Sequence, residues 1–171
     1  MRLFDRYIPQ FVFGAFDGIV TTYAVIAAAA AAGLSSTVVV IFGIANLLAD
    51  GFSMGSSAFL SHQAELKKSK NKRFSPLRLS IATFFAFVVV GFMPVIPFFL
   101  DVVMKLNLDS ERMFIISSIL TGLMFIWVGY AKSIHMKKTL WLSLFETFLL
   151  GAAAASLAYF AGAVLKNVFG A

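Results

Sequence analysis

The feature that most constrains this chain is a long stretch near its N-terminus that is almost free of charge. Residues 7–64 carry only two charged side chains, Asp17 and Asp50. A helix needs about 20 apolar residues to cross a bilayer, so this stretch is long enough for two spans. The whole chain is 60% hydrophobic and 13% charged, whereas soluble domains are about 45–50% apolar and about 25% charged. A chain of 171 residues cannot bury that much apolar surface in its own core, so the sequence predicts a membrane protein.

Charged residues and turn signals divide the chain into five predicted spans within one all-α membrane domain, residues 1–171. Gly33 is expected to end the first span, and the serines after it can begin the second. We place the spans near residues 9–32, 37–61, 79–100, 113–131 and 139–165. Pro94 and Pro97 should break the third span near its outer end, because proline donates no backbone hydrogen bond. The first span is long and contains Asp17, so we interpret it as part of the mature protein and not as a cleaved signal peptide.

The basic residues predict the orientation of these spans. Two lie before span one, six in the loop after span two and three in the loop after span four, which together are 11 of the 14 lysines and arginines. Basic loops stay in the cytoplasm, so the N-terminus is predicted to be cytoplasmic and the C-terminus outside. This distribution accounts for the net charge of +6, so the charge does not indicate nucleic-acid binding. Anionic lipid headgroups are the expected partner of the basic loop after span two.

Three carboxylates lie inside the predicted spans: Asp17, Asp50 and Glu146. A charged group at the centre of a spanning helix costs about 2.5–3.5 kcal/mol to insert, and such groups usually face a bundle interior or an aqueous path. They are therefore the functional candidates. The alternative is that each carboxylate is neutral and hydrogen-bonds to a neighbouring helix.

Polar side chains continue from two of these carboxylates along one helical face, as expected at 100° per residue. The stripe on span two contains Asn46, Asp50, Ser53, Met54, Ser57 and Ser61, and the stripe on span one contains Gln10, Gly14, Asp17 and Thr21. Carboxylate, amide, hydroxyl and thioether groups suit a borderline divalent cation such as Fe²⁺ or Mn²⁺. The motifs Gly14-x-x-x-Gly18 and Gly51-x-x-x-Gly55 indicate closely packing helices. We therefore predict a metal site built from Asp17, Asp50 and Met54, with Asn46 as a further ligand. Glu146 on span five is predicted to be a carboxylate at a second position along the path of the ion.

Other chemistry is excluded or left open by the residue types. The chain has no cysteine, which excludes disulfides and thiolate metal sites. No glycine loop for phosphate, no histidine cluster and no nucleophile motif is present, so we expect neither ATP hydrolysis nor an enzyme. The pair His62-x-x-Glu65 has two interpretations, a weak cation-binding pair or a solvated loop face, and the second is favoured.

Two segments resemble the vacuolar iron transporter family. One is Phe13-Gly14-Ala15-Phe16-Asp17-Gly18-Ile19-Val20-Thr21-Thr22-Tyr23-Ala24, and the other is Gly43-Ile44-Ala45-Asn46-Leu47-Leu48-Ala49-Asp50-Gly51-Phe52-Ser53-Met54-Gly55. Pro94-x-x-Pro97 and the segment Glu146 to Ala154 are similar to the third and fifth helices of that family. The resemblance implies five helices per chain, a homodimer with the pore between protomers, and exchange of Fe²⁺ for protons, with Mn²⁺ as a second substrate.

The resemblance also implies pore ligands at Asp17 and Met54. Plant vacuolar members carry a glutamate where this chain has Asn46, and we propose that Asp50, one turn along the same face, takes its place. Those members also insert an acidic metal-binding domain between helices two and three, where this chain has a short basic loop. It is therefore closer to the short nodulin-like branch.

The sequence therefore predicts a proton-coupled exporter of Fe²⁺ or Mn²⁺, with the metal as substrate and no cofactor. The membrane would be the cell membrane of a bacterium, or a vacuolar or other endomembrane of a eukaryote. The alternative is a membrane scaffold or partner subunit that transports nothing.

Overall fold

The structure is a computed structural model that describes residues 8–68, 75–106, 108–136 and 139–169. Within these residues it contains six α-helices and one 3₁₀ turn, and no strand. The helices are α1 (Ile8–Ala32), α2 (Ser36–Lys68), α3 (Pro76–Gly91), α4 (Ile96–Met104), α5 (Ser110–Met136) and α6 (Leu140–Phe169), and the 3₁₀ turn is Met93–Val95.

Five segments of this structure are long and apolar enough to cross a membrane. They are Ile8–Ala32, Ser36–Leu66, Pro76–Met104, Ser110–His135 and Leu140–Val168. The prediction of an all-helical membrane protein with five spans is therefore confirmed. The orientation stays a prediction, because most of the basic residues on which it rests lie outside the described residues: 2, 6, 70, 72, 73, 137 and 138.

The turn between α1 and α2 forms at the predicted glycine. Gly33 has a φ of 74°, a left-handed conformation that side chains with a Cβ rarely adopt. Its backbone N–H donates to the Ala30 carbonyl at 3.0 Å, and the N–H of Leu34 donates to the Ala29 carbonyl at 3.0 Å. These two bonds satisfy carbonyls at the end of α1, and the short turn makes α1 and α2 antiparallel neighbours.

The third span is interrupted at its two prolines, as the sequence predicts. α3 ends at Gly91, the chain makes a 3₁₀ turn through Pro94, and α4 begins at Ile96 with Pro97 in its first turn. The hydroxyl of Ser117 on α5 donates to the Pro94 carbonyl at 2.7 Å. The neighbouring helix thus satisfies a backbone oxygen within the interrupted segment, which apolar surroundings require.

Helix α2 is longer than the sequence predicted. It continues past residue 61 to Lys68, because Ala64, Glu65 and Leu66 are good helix formers and a helix can extend beyond the hydrocarbon region. The residues after 61 therefore keep the helical register of the polar stripe, so that they lie on a helix and not in a loop.

Helix α3 packs between α1 and α2 and holds both of them. A side chain at Gly14 or Gly18 of α1 would collide with the backbone oxygens of Thr83 and Phe87 of α3. These glycines therefore let α1 and α3 approach backbone to backbone. The close-packing motif of α1 is used inside the chain and leaves no glycine face free for a second copy.

The glycine motif of α2 also packs against α3. Gly51 lies against Val88 and Phe84 of α3, and Gly55 lies against Phe84 and Ser80. The Ser80 hydroxyl also donates to the Gly55 carbonyl at 2.6 Å. Both glycine motifs thus pack on α3, while α6 is the most peripheral span and has most of its large apolar side chains exposed.

Candidate functional site

A polar groove runs between α1 and α2, and its lining residues come from these two helices. Its volume is about 520 Å³. Its lining, which defines the α1–α2 groove, consists of Gln10, Phe13, Asp17, Asp50, Ser53, Met54, Ser57, Ala58, Ser61 and His62. The two stripes predicted from helical periodicity therefore meet in one cavity, and most of their polar members line it.

The glycines that pack on α3 also turn the carboxylates toward the groove. Asp17 lies between Gly14 and Gly18 in sequence, and Asp50 immediately precedes Gly51. Because the glycine faces of α1 and α2 are pressed against α3, the aspartates on the neighbouring faces line the groove. The close approach of backbones thus fixes the direction of both acids.

The two aspartates share the groove without a basic partner in its described lining. Asp17 and Asp50 both line it, and among the described residues its lining contains no lysine or arginine. Two carboxylates in one cavity within membrane spans are costly unless a cation or protons neutralise them. The pair is therefore a place where a dication or protons would be bound favourably.

Met54 lies one turn from Asp50 on the same helix and has two environments. Its side chain packs against the core cluster that contains Leu47 and Phe87, and it also lines the groove. The thioether is therefore held in place by the core while it remains accessible from the cavity. A methionine fixed in this way can act as a soft ligand beside two hard oxygen ligands.

Two of the predicted ligands are not in the groove. Asn46 is not part of its lining, and the buried Asn46 side-chain nitrogen has no hydrogen-bond partner among the described residues. Glu146 accepts a hydrogen bond from the Lys132 ammonium at 2.8 Å, which links α6 to α5. The structure thus brings Asp17, Asp50 and Met54 together and places Asn46 and Glu146 elsewhere.

His62, for which the sequence analysis favoured a position in a solvated loop, lies in the groove. His62 lines its end nearest the start of α1, beside Gln10. The signal that could have placed it there is the helical register, since His62 follows Ala58 by one turn once α2 continues beyond residue 61.

The groove does not contain a complete set of strong ligands. Among residues 8–68, 75–106, 108–136 and 139–169, no three histidine, aspartate or glutamate side chains cluster as a metal site would require. Two carboxylates and a thioether leave further coordination positions to hydroxyls, water or a second copy. Such a ligand set would hold a dication weakly enough to release it.

These features define a multi-pass membrane protein with a carboxylate-containing polar groove inside its spans. Comparison with known proteins gives the family. The sequence matches the profile of the VIT family over residues 8–73 and 62–163. The chain belongs to the VIT family, whose members are transporters and not enzymes.

Three relatives match a shorter part of the chain. It is 44% identical over 59 residues to a vacuolar iron transporter of Toxoplasma gondii, a match that covers 34% of this chain and 20% of the relative. It is 41% identical over 58 residues to a vacuolar iron transporter of Plasmodium falciparum, covering 34% and 21%. It is 33% identical over 60 residues to one of Plasmodium berghei, covering 35% and 22%. The matched part of the chain thus spans about a fifth of the length of these relatives.

Proposed function

We propose that this protein is a proton-coupled secondary transporter that exports Fe²⁺ and Mn²⁺ from the cytoplasm. The observation that carries the proposal is the α1–α2 groove, in which Asp17, Asp50 and Met54 meet inside two membrane spans. The names of the matched relatives, vacuolar iron transporters, support the choice of metal.

The ligand types favour Fe²⁺ and Mn²⁺ over Mg²⁺ and Ca²⁺. Carboxylate oxygens bind all four ions, but Mg²⁺ and Ca²⁺ prefer shells made only of oxygen. The Met54 thioether adds a softer ligand, which favours the transition metals. Fe²⁺ should gain more from it than Mn²⁺, because Fe²⁺ follows Mn²⁺ in the usual order of affinity.

Proton coupling is supported by the two acids that share the groove. Asp17 and Asp50 line it with no lysine or arginine in the part of the lining that the structure describes, so a dication would neutralise them in the loaded groove and protons would replace it in the empty one. Binding of metal then releases protons, and return of protons releases metal. The positive-inside distribution of the basic residues supports an N-terminus and a groove mouth that face the cytoplasm.

We also propose a homodimer in which two α1–α2 grooves face each other. One groove supplies too few ligands to enclose a dication, and a two-fold partner would double them. The same assembly would close the open side of the groove. The proposed membrane is the cell membrane in a bacterium, or a vacuolar or other endomembrane in a eukaryote.

Transport by the purified protein in liposomes tests this proposal. We expect Fe²⁺, under anaerobic conditions, and Mn²⁺ to move when a proton gradient is imposed, with a matching proton flux reported by a pH-sensitive dye. A protonophore should abolish the concentrative uptake, and Mg²⁺ and Ca²⁺ should not compete. Absence of flux for every divalent metal would favour the scaffold interpretation, in which the carboxylates only hold helices together.

A further inference from the structure

His62 lies at the mouth of the α1–α2 groove, on the last turns of α2. Its side chain is 19% exposed and lines the cavity together with Gln10. At 1.5 Å per residue, Met54 lies about 12 Å further along α2 and Asp50 about 18 Å further. His62 is therefore too far away to share a metal ion with them, and it lies where a cation would first meet the groove.

The two ring nitrogens of His62 have different partners. The side-chain nitrogen of Gln10 lies 2.9 Å from Nε2, and a carboxylate oxygen of Glu65 lies 3.3 Å from Nδ1. An amide nitrogen only donates and a carboxylate only accepts. Both contacts are satisfied by the same neutral tautomer, in which Nδ1 carries the hydrogen and the lone pair of Nε2 points to Gln10 and the groove.

This arrangement is the one that metal-binding histidines adopt. In such sites one ring nitrogen binds the metal, and the other donates to a carboxylate or carbonyl that fixes the tautomer and the ring orientation. Glu65, with a side chain that is 72% exposed, takes the orienting role and adds negative charge at the mouth. Gln10 holds the position that a metal ion would occupy on Nε2.

We propose that His62 is the first protein ligand of the transported dication, which displaces the Gln10 amide from Nε2. When the amide of Gln10 turns over, its oxygen can replace its nitrogen as the group that faces the ion, so Gln10 becomes a second ligand. Release of the ion toward Asp17 and Asp50 restores the hydrogen bond between α1 and α2. This inference rests on the proposed transport function and names the residue that receives its substrate.

The chain offers a matched control, because His135 is its only other histidine and lines a different cavity. The probe is Mn²⁺ bound to the full-length purified protein, whose electron spin-echo modulation reports directly coordinated imidazole nitrogen. The measurement is made on the wild-type protein and on the double variant Asp17→Asn, Asp50→Asn, which lacks both deeper carboxylates. We expect stronger nitrogen modulation in the double variant than in the wild type, because the deeper acids draw the ion away from His62. In the double variant the modulation should be lost on adding His62→Gln and retained on adding His135→Gln.

Transport kinetics supply the second readout. His62→Gln should raise the apparent KM for Fe²⁺ about tenfold or more, as the loss of a ligand or of its orienting partner does, and should leave the maximal rate close to wild type. Glu65→Gln should raise KM less. Absence of nitrogen modulation in the double variant, or its persistence after His62→Gln is added, would overturn the inference even if the wild type transports metal. Nitrogen modulation that depends on His62 in a protein without transport would instead contradict the proposed function alone.

Discussion

At the scale of single residues, the structure separates the three carboxylates that the sequence singled out into two kinds. Asp17 and Asp50 line one groove whose lining residues, within the described part of the chain, include no lysine or arginine. Glu146 is bound to Lys132 at 2.8 Å, so its negative charge is compensated within the protein. An acid with a fixed cationic partner has less to gain from a dication than one that faces another acid.

Asp17→Asn should abolish transport of both Fe²⁺ and Mn²⁺. The amide keeps the shape of the side chain but removes the negative charge and the proton-binding site. Uptake into proteoliposomes measures the effect. The matched control is Asp109→Asn, because Asp109 is 79% exposed and pairs only loosely with Arg112 at 3.7 Å; this variant should transport like the wild type. Wild-type rates in Asp17→Asn would remove Asp17 from the site.

Met54→Leu should reduce Fe²⁺ transport more than Mn²⁺ transport. Leucine fills nearly the same volume, so that packing against the core changes by less than about 1.5 kcal/mol, but it removes the sulfur ligand. The ratio of Fe²⁺ to Mn²⁺ flux is the measurement. Met124→Leu is the control, since Met124 packs in the other core cluster. An unchanged ratio would show that Met54 acts only as a core side chain.

At the scale of helices, α3 organises the site without contributing a ligand to it. The glycines of α1 and α2 pack on its backbone and side chains, and the aspartates next to them then line the groove. The Pro94 and Pro97 break ends α3 near the core cluster that contains Val95. The third span thus packs against both α1 and α2 and sets their relative positions.

Gly18→Ala should weaken the packing of α1 against α3. A Cβ at Gly18 would collide with the Phe87 backbone oxygen, and because backbone cannot rotate away, α1 must move. Such overpacking costs about 1–3 kcal/mol. Thermal unfolding in detergent should show the loss, and transport should fall with it. The control is Gly122→Ala, because a Cβ there meets nothing within 4 Å. Equal melting temperatures for the two variants would contradict the packing argument.

At the scale of the whole molecule, α1 is enclosed by helices on most sides but open along the groove. It packs against α2, α3, α5 and α6, and among its described large apolar side chains only Phe13, at 59%, is strongly exposed. Phe13 also lines the groove. The dimer proposed here therefore depends on the groove face, since the glycine motif of α1 is already occupied by α3.

A cysteine at Phe13 should form crosslinks between two copies of the chain. The chain has no cysteine of its own, so Phe13→Cys introduces a single reactive position. Phe160→Cys is the control, because Phe160 is 68% exposed on the peripheral helix α6 and should face lipid. Crosslinked dimers on denaturing gels after oxidation in membranes are the measurement. Equal crosslinking at both positions, or none at Phe13, would count against facing grooves.

The sequence by itself determined the spans, the turn at Gly33 and the break at Pro94 and Pro97. These features depend on local properties, namely the length of apolar segments and the backbone chemistry of glycine and proline. Helical periodicity also grouped Asp50 with Met54 and Asp17 with Gln10, because residues three, four and seven positions apart share a face.

Only the tertiary structure decided which of these faces meet. Periodicity assigns a residue to a face but does not say which helix lies opposite, so the sequence could not show that both glycine motifs pack on α3. For the same reason it could not pair Glu146 with Lys132. It also favoured a solvated loop for His62, which the structure places against Gln10, 52 residues away in the chain. Contacts between distant segments depend on how all five spans pack together, and no local pattern encodes that arrangement.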